Sequence, residues 1–229
     1  MGKISETTPK SILPIGDTNI ICRLINQLLN EGINDITIVV GYKEDLLKKE
    51  IRRAFDQRFK FITNKKFEED INIYSLSLAL DDLTKRKFIV FEADCLYEDE
   101  AISHIVKTCE DNQSYWYTIG SFEPEQMGGI LLSNEQNFVK DIKIVPKFEN
   151  QYSEYNKLIG VLKVGTMESP KFIELIKKYK NQNIKQYYLQ PWIDHLNVLD
   201  CSEVSLKAFR SGAFNDLNEY NKVLEIFKD

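Results

Sequence analysis

Lys10 follows Thr8-Pro9 and stands just ahead of a short apolar run ending in Pro14-Ile15-Gly16. Pro9 fixes its own φ and restricts Thr8 to extended conformations, so the lysine projects from a stiffened segment. A cation held that way can neutralise phosphate charge; the tripeptide alone also reads as an ordinary surface lysine. Asp94 comes just past the apolar run KFIVFE. In open α/β sheets ligands bind beyond the carboxyl ends of the strands, and a carboxylate there can hold Mg2+. It can equally cap the helix that follows. Asn72 and Ser75 open a helical pattern whose first-turn amides have no partner within the helix. Such a turn can meet a base or ribose edge, or be a plain capped helix. Asn215 and Asp216 precede the last helix and offer two oxygen ligands for a metal, with Asp216 also suited to an N-cap. The second half is rich in aromatics. Trp192 with Asp194 suits a cage for a cationic head group, although the stripe Tyr187-Tyr188-x-x-x-Trp192 also reads as core. Gln126, in a turn beside Gly128-Gly129, can read an amide or carboxylate.

These residues need a scaffold, and the apolar spacing describes one. Ile21, Leu24, Ile25, Leu28 and Leu29 share one face of a helix capped by Asp17 or Thr18 and stopped at Gly32. Ile36–Val40 is a β-branched run expected of a buried strand. Helix 44–55, strand 59–63, helix 73–83, strand 87–92 and helix 99–108 follow in alternation. That order predicts a mostly parallel sheet covered by helices. Beyond residue 110 the spacing changes to strands at 114–120, 129–133, 139–145 and 158–164, a β-rich insert. Helices return at 169–179, 184–196 and 217–227, with Pro191 expected to kink or split the second. The expectation is an α/β, Rossmann-like, mixed and mostly parallel sheet in a single domain over 1–229. Residues 1–110 form the nucleotide half and 111–229 the acceptor half.

A chain of 229 residues can bury roughly 70–75% of its unfolded surface and needs no staples. A net charge of −5 argues against broad nucleic-acid binding. The four cysteines have no metal or redox spacing and suit a cytoplasmic protein with reduced thiols. No apolar run approaches the ~20 residues of a membrane span, and no signal peptide pattern is present.

Taken in order, TPKSILPIG, EGINDITIVVGYKEDLL, NKKFEEDINIYSLSLA, FEADCLYED and FNDLNEYNKVLEIF resemble the successive motifs of the nucleotidyltransferase family. The resemblance spans nearly the whole chain. NIYSL is most similar to the branch acting on phosphocholine and related small phosphorylated compounds; a related branch uses phosphoglutamine in capsule biosynthesis. It implies a Mg2+-dependent cytidylyltransferase: CTP plus a small phosphorylated acceptor gives a CDP-linked product and pyrophosphate, serving surface polysaccharide or lipid modification. It places Lys10 near the α-phosphate and makes Asp94 the first metal ligand. Gly41, Tyr42, Asn72, Ser75 and Ala93 then belong to the nucleotide pocket. A sugar 1-phosphate acceptor is the alternative within the family, and a homodimer is compatible with it.

Two departures stand out. The family's closing metal aspartate falls on Asn215, with Asp216 beside it. The family's first strand and its G-x-G-x-R phosphate loop have no counterpart ahead of SETTPK. The expectation is a chain that is poorly active or unstable as written, rescued by the missing segment, or a nucleotide-binding homologue without catalysis.

Overall fold

The computed structural model describes residues 8–81, 83–214 and 216–228. Strand β1 (Pro14–Ile15) pairs antiparallel with β2 (Thr18–Asn19), and Gly16 supplies the positive φ of the turn between them. Helix α1 (Ile20–Asn30) starts one or two residues later than a cap at Thr18 or Asp17 predicts, because Thr18 and Asn19 are taken by that hairpin. Asn19 is the cap, its Oδ1 accepting from Cys22 N at 3.0 Å. Gly32 ends the helix with φ +81° while Ile33 N donates to Leu28 O at 2.9 Å.

Strand β3 (Thr37–Val40), helix α2 (Glu44–Ala54) and β4 (Lys60–Thr63) form a crossover whose strands pair in parallel. Helix α3 (Ile73–Ala79), β5 (Phe88–Phe91), β6 (Cys95–Tyr97) and α4 (Asp99–Lys107) complete the first half. The second half adds β7 (Tyr115–Ser121), β8 (Gly128–Ser133), β9 (Val139–Val145) and β10 (Asn156–Val164). Helices α5 (Ser169–Gln182) and α6 (Gln190–His195), strands β11 (Ser202–Ser205) and β12 (Ser211–Ala213), and helix α7 (Leu217–Ile226) close the chain. Pro191 opens α6 rather than kinking a longer helix: its missing N–H costs nothing in a first turn.

A six-stranded sheet runs β11-β7-β10-β8-β9, with β5 also on β10. Strand β7 takes one edge of β10; β8 and β5 share the other, β8 along Asn156–Lys157 and β5 along Val161–Val164. The sheet therefore forks at residues 158–160. Alternate residues of β7 and β10 face opposite sides. Trp116, Leu158 and Leu162 pack under Phe172, Ile176 and Trp192 of α5 and α6, while Tyr117, Ile159 and Val161 pack under α1 and α4. The result is a mixed sheet between two helical layers. Among the described residues β3 pairs only with β4 and β5 only with β10. The unpaired edges of β3 and β5 border one cavity of about 910 Å3, walled by Leu24 and Leu28 of α1 and by Leu76 and Leu80 at α3. No helix of the described residues is long and apolar enough to cross a membrane.

Candidate functional site

Lys10 begins a short 3-10 turn, Lys10–Ile12, directly after Pro9, which has an extended ψ of 141°. The turn is anchored downstream. Leu13, Ile15 and Ile20 pack with Leu96, Phe214, Tyr220 and Val223, and the Tyr220 hydroxyl donates to Pro14 O. Strand β12 pairs with β6, so the end of the chain clamps the beginning against the strand that follows Asp94. This clamp brings Lys10 Nζ to 3.8 Å from Asp94 Oδ2, each side chain about one-third exposed (34% and 33%). Burial raises the Asp94 carboxyl above its ordinary value, against the pull of the Lys10 ammonium.

Glu92, which a reading of the strand treats only as its last residue, completes the group. Side chains at i and i+2 of an extended chain fall on one side, so the 92/94 spacing at the end of a buried strand was the available signal, although the chain turns at residues 93–94. Glu92 crosses the fork of the sheet over Gly160: a Cβ at Gly160 would lie 2.6 Å from Glu92 Cβ and 2.7 Å from its Oε2. Glu92 N donates to Gly160 O at 2.7 Å. Asn72 Nδ2 donates to Glu92 Oε1 at 3.3 Å, and Tyr188 also hydrogen-bonds the carboxyl. Asn72 thus does not cap α3 but ties Glu92 to the chain at Tyr188, whose N–H donates to Asn72 Oδ1 at 2.8 Å. Burial, then the neighbouring Asp94 charge, push the Glu92 carboxyl up to about 6.

One ligand atom each from Glu92, Asp94 and Cys95 lies within 4.8 Å of the others. The two carboxylates are the hard oxygen donors that Mg2+ prefers. The Cys95 thiol is fully buried and its pKa is driven well up by desolvation, so it stays protonated and is no ligand for such an ion. A divalent cation fits the carboxylate pair, where the Lys10 ammonium stands beside Asp94 and the charge of Lys157 also acts on Glu92.

The cavity is lined on its polar side by Lys10, Asn72, Ser75, Glu92, Ala93 and Asp94. The first turn of α3 is less open than its sequence suggests. Asp70, not seen as functional from sequence, accepts from Tyr74 N at 2.9 Å, Ser75 N at 2.7 Å and Ser75 Oγ at 2.8 Å. Asn64, at the end of β4, donates to Asp70 and to Ser75 Oγ. Ser75 lines the cavity with its hydroxyl already engaged. Gly41 and Tyr42 are not brought to the cavity. Gly41 lies where a Cβ would meet Phe67 Cβ at 2.6 Å, and Tyr42 packs on the Phe67 ring.

The remaining candidates are not gathered at this group. Trp192 is completely buried between Phe172 and Trp116 and presents no face to a ligand, whereas Tyr187 of the same stripe is exposed. Asp194 accepts from Tyr179 Oη at 2.7 Å and Gln190 Nε2 at 2.9 Å on the outer side of α6. Gln126 Oε1 accepts from Glu123 N at 2.8 Å and closes its own turn. Asp216 caps α7, accepting from Glu219 N at 2.8 Å. Asn215 lies outside the described residues. Of the aromatic stripe, Tyr188 does reach the site, stacked on Trp116 with ring centroids 6.0 Å apart.

The fold and the sequence have known counterparts. The structure of CTP:phosphocholine cytidylyltransferase from Streptococcus pneumoniae superposes with a TM-score of 0.79 at 22% identity, over 100% of this chain and 93% of that one. In sequence, the choline-phosphate cytidylyltransferase of Streptococcus pneumoniae is 32% identical over 99% of this chain and 92% of its own length. The 2-aminoethylphosphonate cytidylyltransferase of Lancefieldella rimae is 33% identical over 103 residues, 44% of this chain and 41% of that protein. The nucleotidyl transferase family model matches residues 2–155, which carry Lys10, Asn72, Glu92 and Asp94. With that match and a relative aligned almost end to end, this chain belongs to the nucleotidyl transferase family.

Proposed function

We propose that the protein transfers CMP from CTP to a small phosphate or phosphonate that carries a cationic nitrogen, with Mg2+ as cofactor. The observation that carries this reading is the Lys10–Asp94 contact beside Glu92 at the mouth of the cavity. The names of the sequence relatives support the nucleotide and the acceptor class. An acceptor oxygen forms a bond to the α-phosphorus of CTP. The bond from that phosphorus to the bridging oxygen breaks, and pyrophosphate leaves with the electron pair. The attacking oxygen is already anionic, so the site has no proton to remove and works by positioning and charge neutralisation. Lys10 offsets negative charge at the α-phosphate. Asp94 and Glu92 would hold Mg2+, which when bound neutralises triphosphate charge. Asn72 and Gly160 fix where Glu92 can lie.

Pyrophosphate release tests the reading, with each NTP against phosphocholine, 2-aminoethylphosphonate, phosphoglutamine and glucose 1-phosphate. The expected result is release with CTP and one of the first three, abolished by EDTA and restored by Mg2+. Release only with a sugar 1-phosphate, or CTP binding with no turnover on any acceptor, would overturn it.

A further inference from the structure

Lys10 and Asp94 stand 3.8 Å apart with each side chain about one-third exposed, beyond hydrogen-bond range. An ion pair of that kind is weak and does not hold its own geometry. The separation is set from behind, and Tyr220 of α7 touches both segments that set it. Its hydroxyl donates to Pro14 O, and its buried ring packs on Phe214 with centroids 5.1 Å apart. On the first side, little slack lies between Pro14 and Lys10. Ile12 N donates to Pro9 O, Leu13 N to Lys10 O and Ile20 N to Leu13 O, each at 3.1 Å, and Ser11 is buried. A displacement of Pro14 is therefore passed on to Lys10. On the second side, Phe214 directly follows β12, whose Ala213 is in register with Cys95, the residue after Asp94. Helix α7 is itself pinned. A Cβ at Gly212 of β12 would lie 2.8 Å from Val223 Cγ2, so only a glycine lets the helix sit this close. Beyond its last turn the Phe227 ring lies under the guanidinium of Arg23 from α1 at 5.6 Å and that of Arg210 at 5.7 Å.

We propose that Tyr220 is a positioning residue for the transfer: its hydroxyl, latched onto Pro14 O, sets where Lys10 stands relative to Asp94. The inference rests on the transferase reading above and gives the closing helix a part in it. Tyr220 is not among the residues lining the cavity; it acts through two that are. A misplacement of about 1 Å at such a centre can cost ~100-fold in rate.

Tyr220→Phe keeps the ring and removes the donor. The full chain is compared as wild type, Tyr220→Phe, Lys10→Met and the double variant. One readout is pyrophosphate release from CTP with the acceptor that wild type turns over. The other needs no substrate: the rate at which an acetylating reagent modifies Lys10, followed by peptide mass spectrometry. The expected result for Tyr220→Phe is a kcat at least tenfold lower with acceptor KM within twofold, and Lys10 acetylated at least threefold faster. Its Tm should fall by only about 2–4 °C. Adding Tyr220→Phe to Lys10→Met should cost no further kcat, because residues that act through one another are not additive. An unchanged kcat, an unchanged Lys10 acetylation rate, or losses that multiply in the double variant each overturn the proposal. Where Lys10→Met leaves no measurable rate, the first two readouts decide. If Tyr220→Phe does not fold, Phe227→Leu, which loosens α7 without touching β1, takes its place in the same comparison. A wild type that releases no pyrophosphate with any acceptor overturns the transferase reading instead, and the Lys10 acetylation rates still decide whether Tyr220 sets the position.

Discussion

The carboxylate of Glu92 carries the sharpest consequence at the scale of single residues. Its pKa is raised to about 6 by burial and by Asp94, so the folded protein favours the protonated form. The stability this contributes is complete below the unfolded pKa near 4.5 and is lost as the pH rises through 6. A Gln keeps the oxygen that accepts from Asn72 and never ionises. Glu92→Gln is therefore expected to gain stability relative to wild type by about 2 kcal/mol between pH 4.5 and pH 7.5. Urea melts in EDTA at both pH values check this, and a pH-independent difference would contradict it. Residues like this one are hard to read in a sequence, because Glu at a strand end is unremarkable until its neighbours are known. Lys10 and Asp94 were legible, one from a proline-stiffened approach and the other from its place after a buried strand. Trp192 misled because an aromatic stripe at helical spacing is the same in a cage and in a core. Only its burial against Phe172 and Trp116 separates the two.

At the scale of elements, the helix that matters most to the site is α3, and Asp70 starts it. Two backbone amides and the Ser75 hydroxyl end on that one carboxylate, which also receives Asn64 from β4. Asp70→Ala leaves the first turn uncapped and is expected to cost about 1–2 kcal/mol, read as a lower urea midpoint. Because Asn72 sits between Asp70 and α3, turnover should fall further than stability; an unchanged kcat in a folded variant would separate the cap from the site. Most longer elements were legible. Helix α1 declared its apolar face, β3 its β-branched run, and Gly32 its stop. The misses were short or paired over long distances. Strand β6 has three residues and finds β12 more than a hundred positions away, so no local pattern can announce it. The hairpin β1–β2 has two residues on each side and moved the cap of α1 to Asn19.

Across the whole molecule, segments far apart in the chain meet at the candidate site. Helix α7 and β12 clamp the segment carrying Lys10 onto β6, and Gly160 at the fork in β10 seats Glu92 beside it. The layered α/β plan was visible in the sequence through its alternating segments. The fork was not, because it depends on how β5 and β8 divide one strand between them. Among the described residues the same plan leaves β3 and β5 each with one edge on a cavity and no second strand beside it. In solution such edges behave as adhesive, since each offers a row of backbone donors and acceptors beside partly buried apolar side chains. Concentrated samples are expected to self-associate, with the sedimentation coefficient rising across the range from about 5 to about 200 μM. A charge on the open edge, as in Val39→Lys, should suppress that rise. A wild-type protein that sediments as one unchanged species over the whole range would show that the cavity closes on itself, and that handling this enzyme at high concentration carries no aggregation hazard from its sheet.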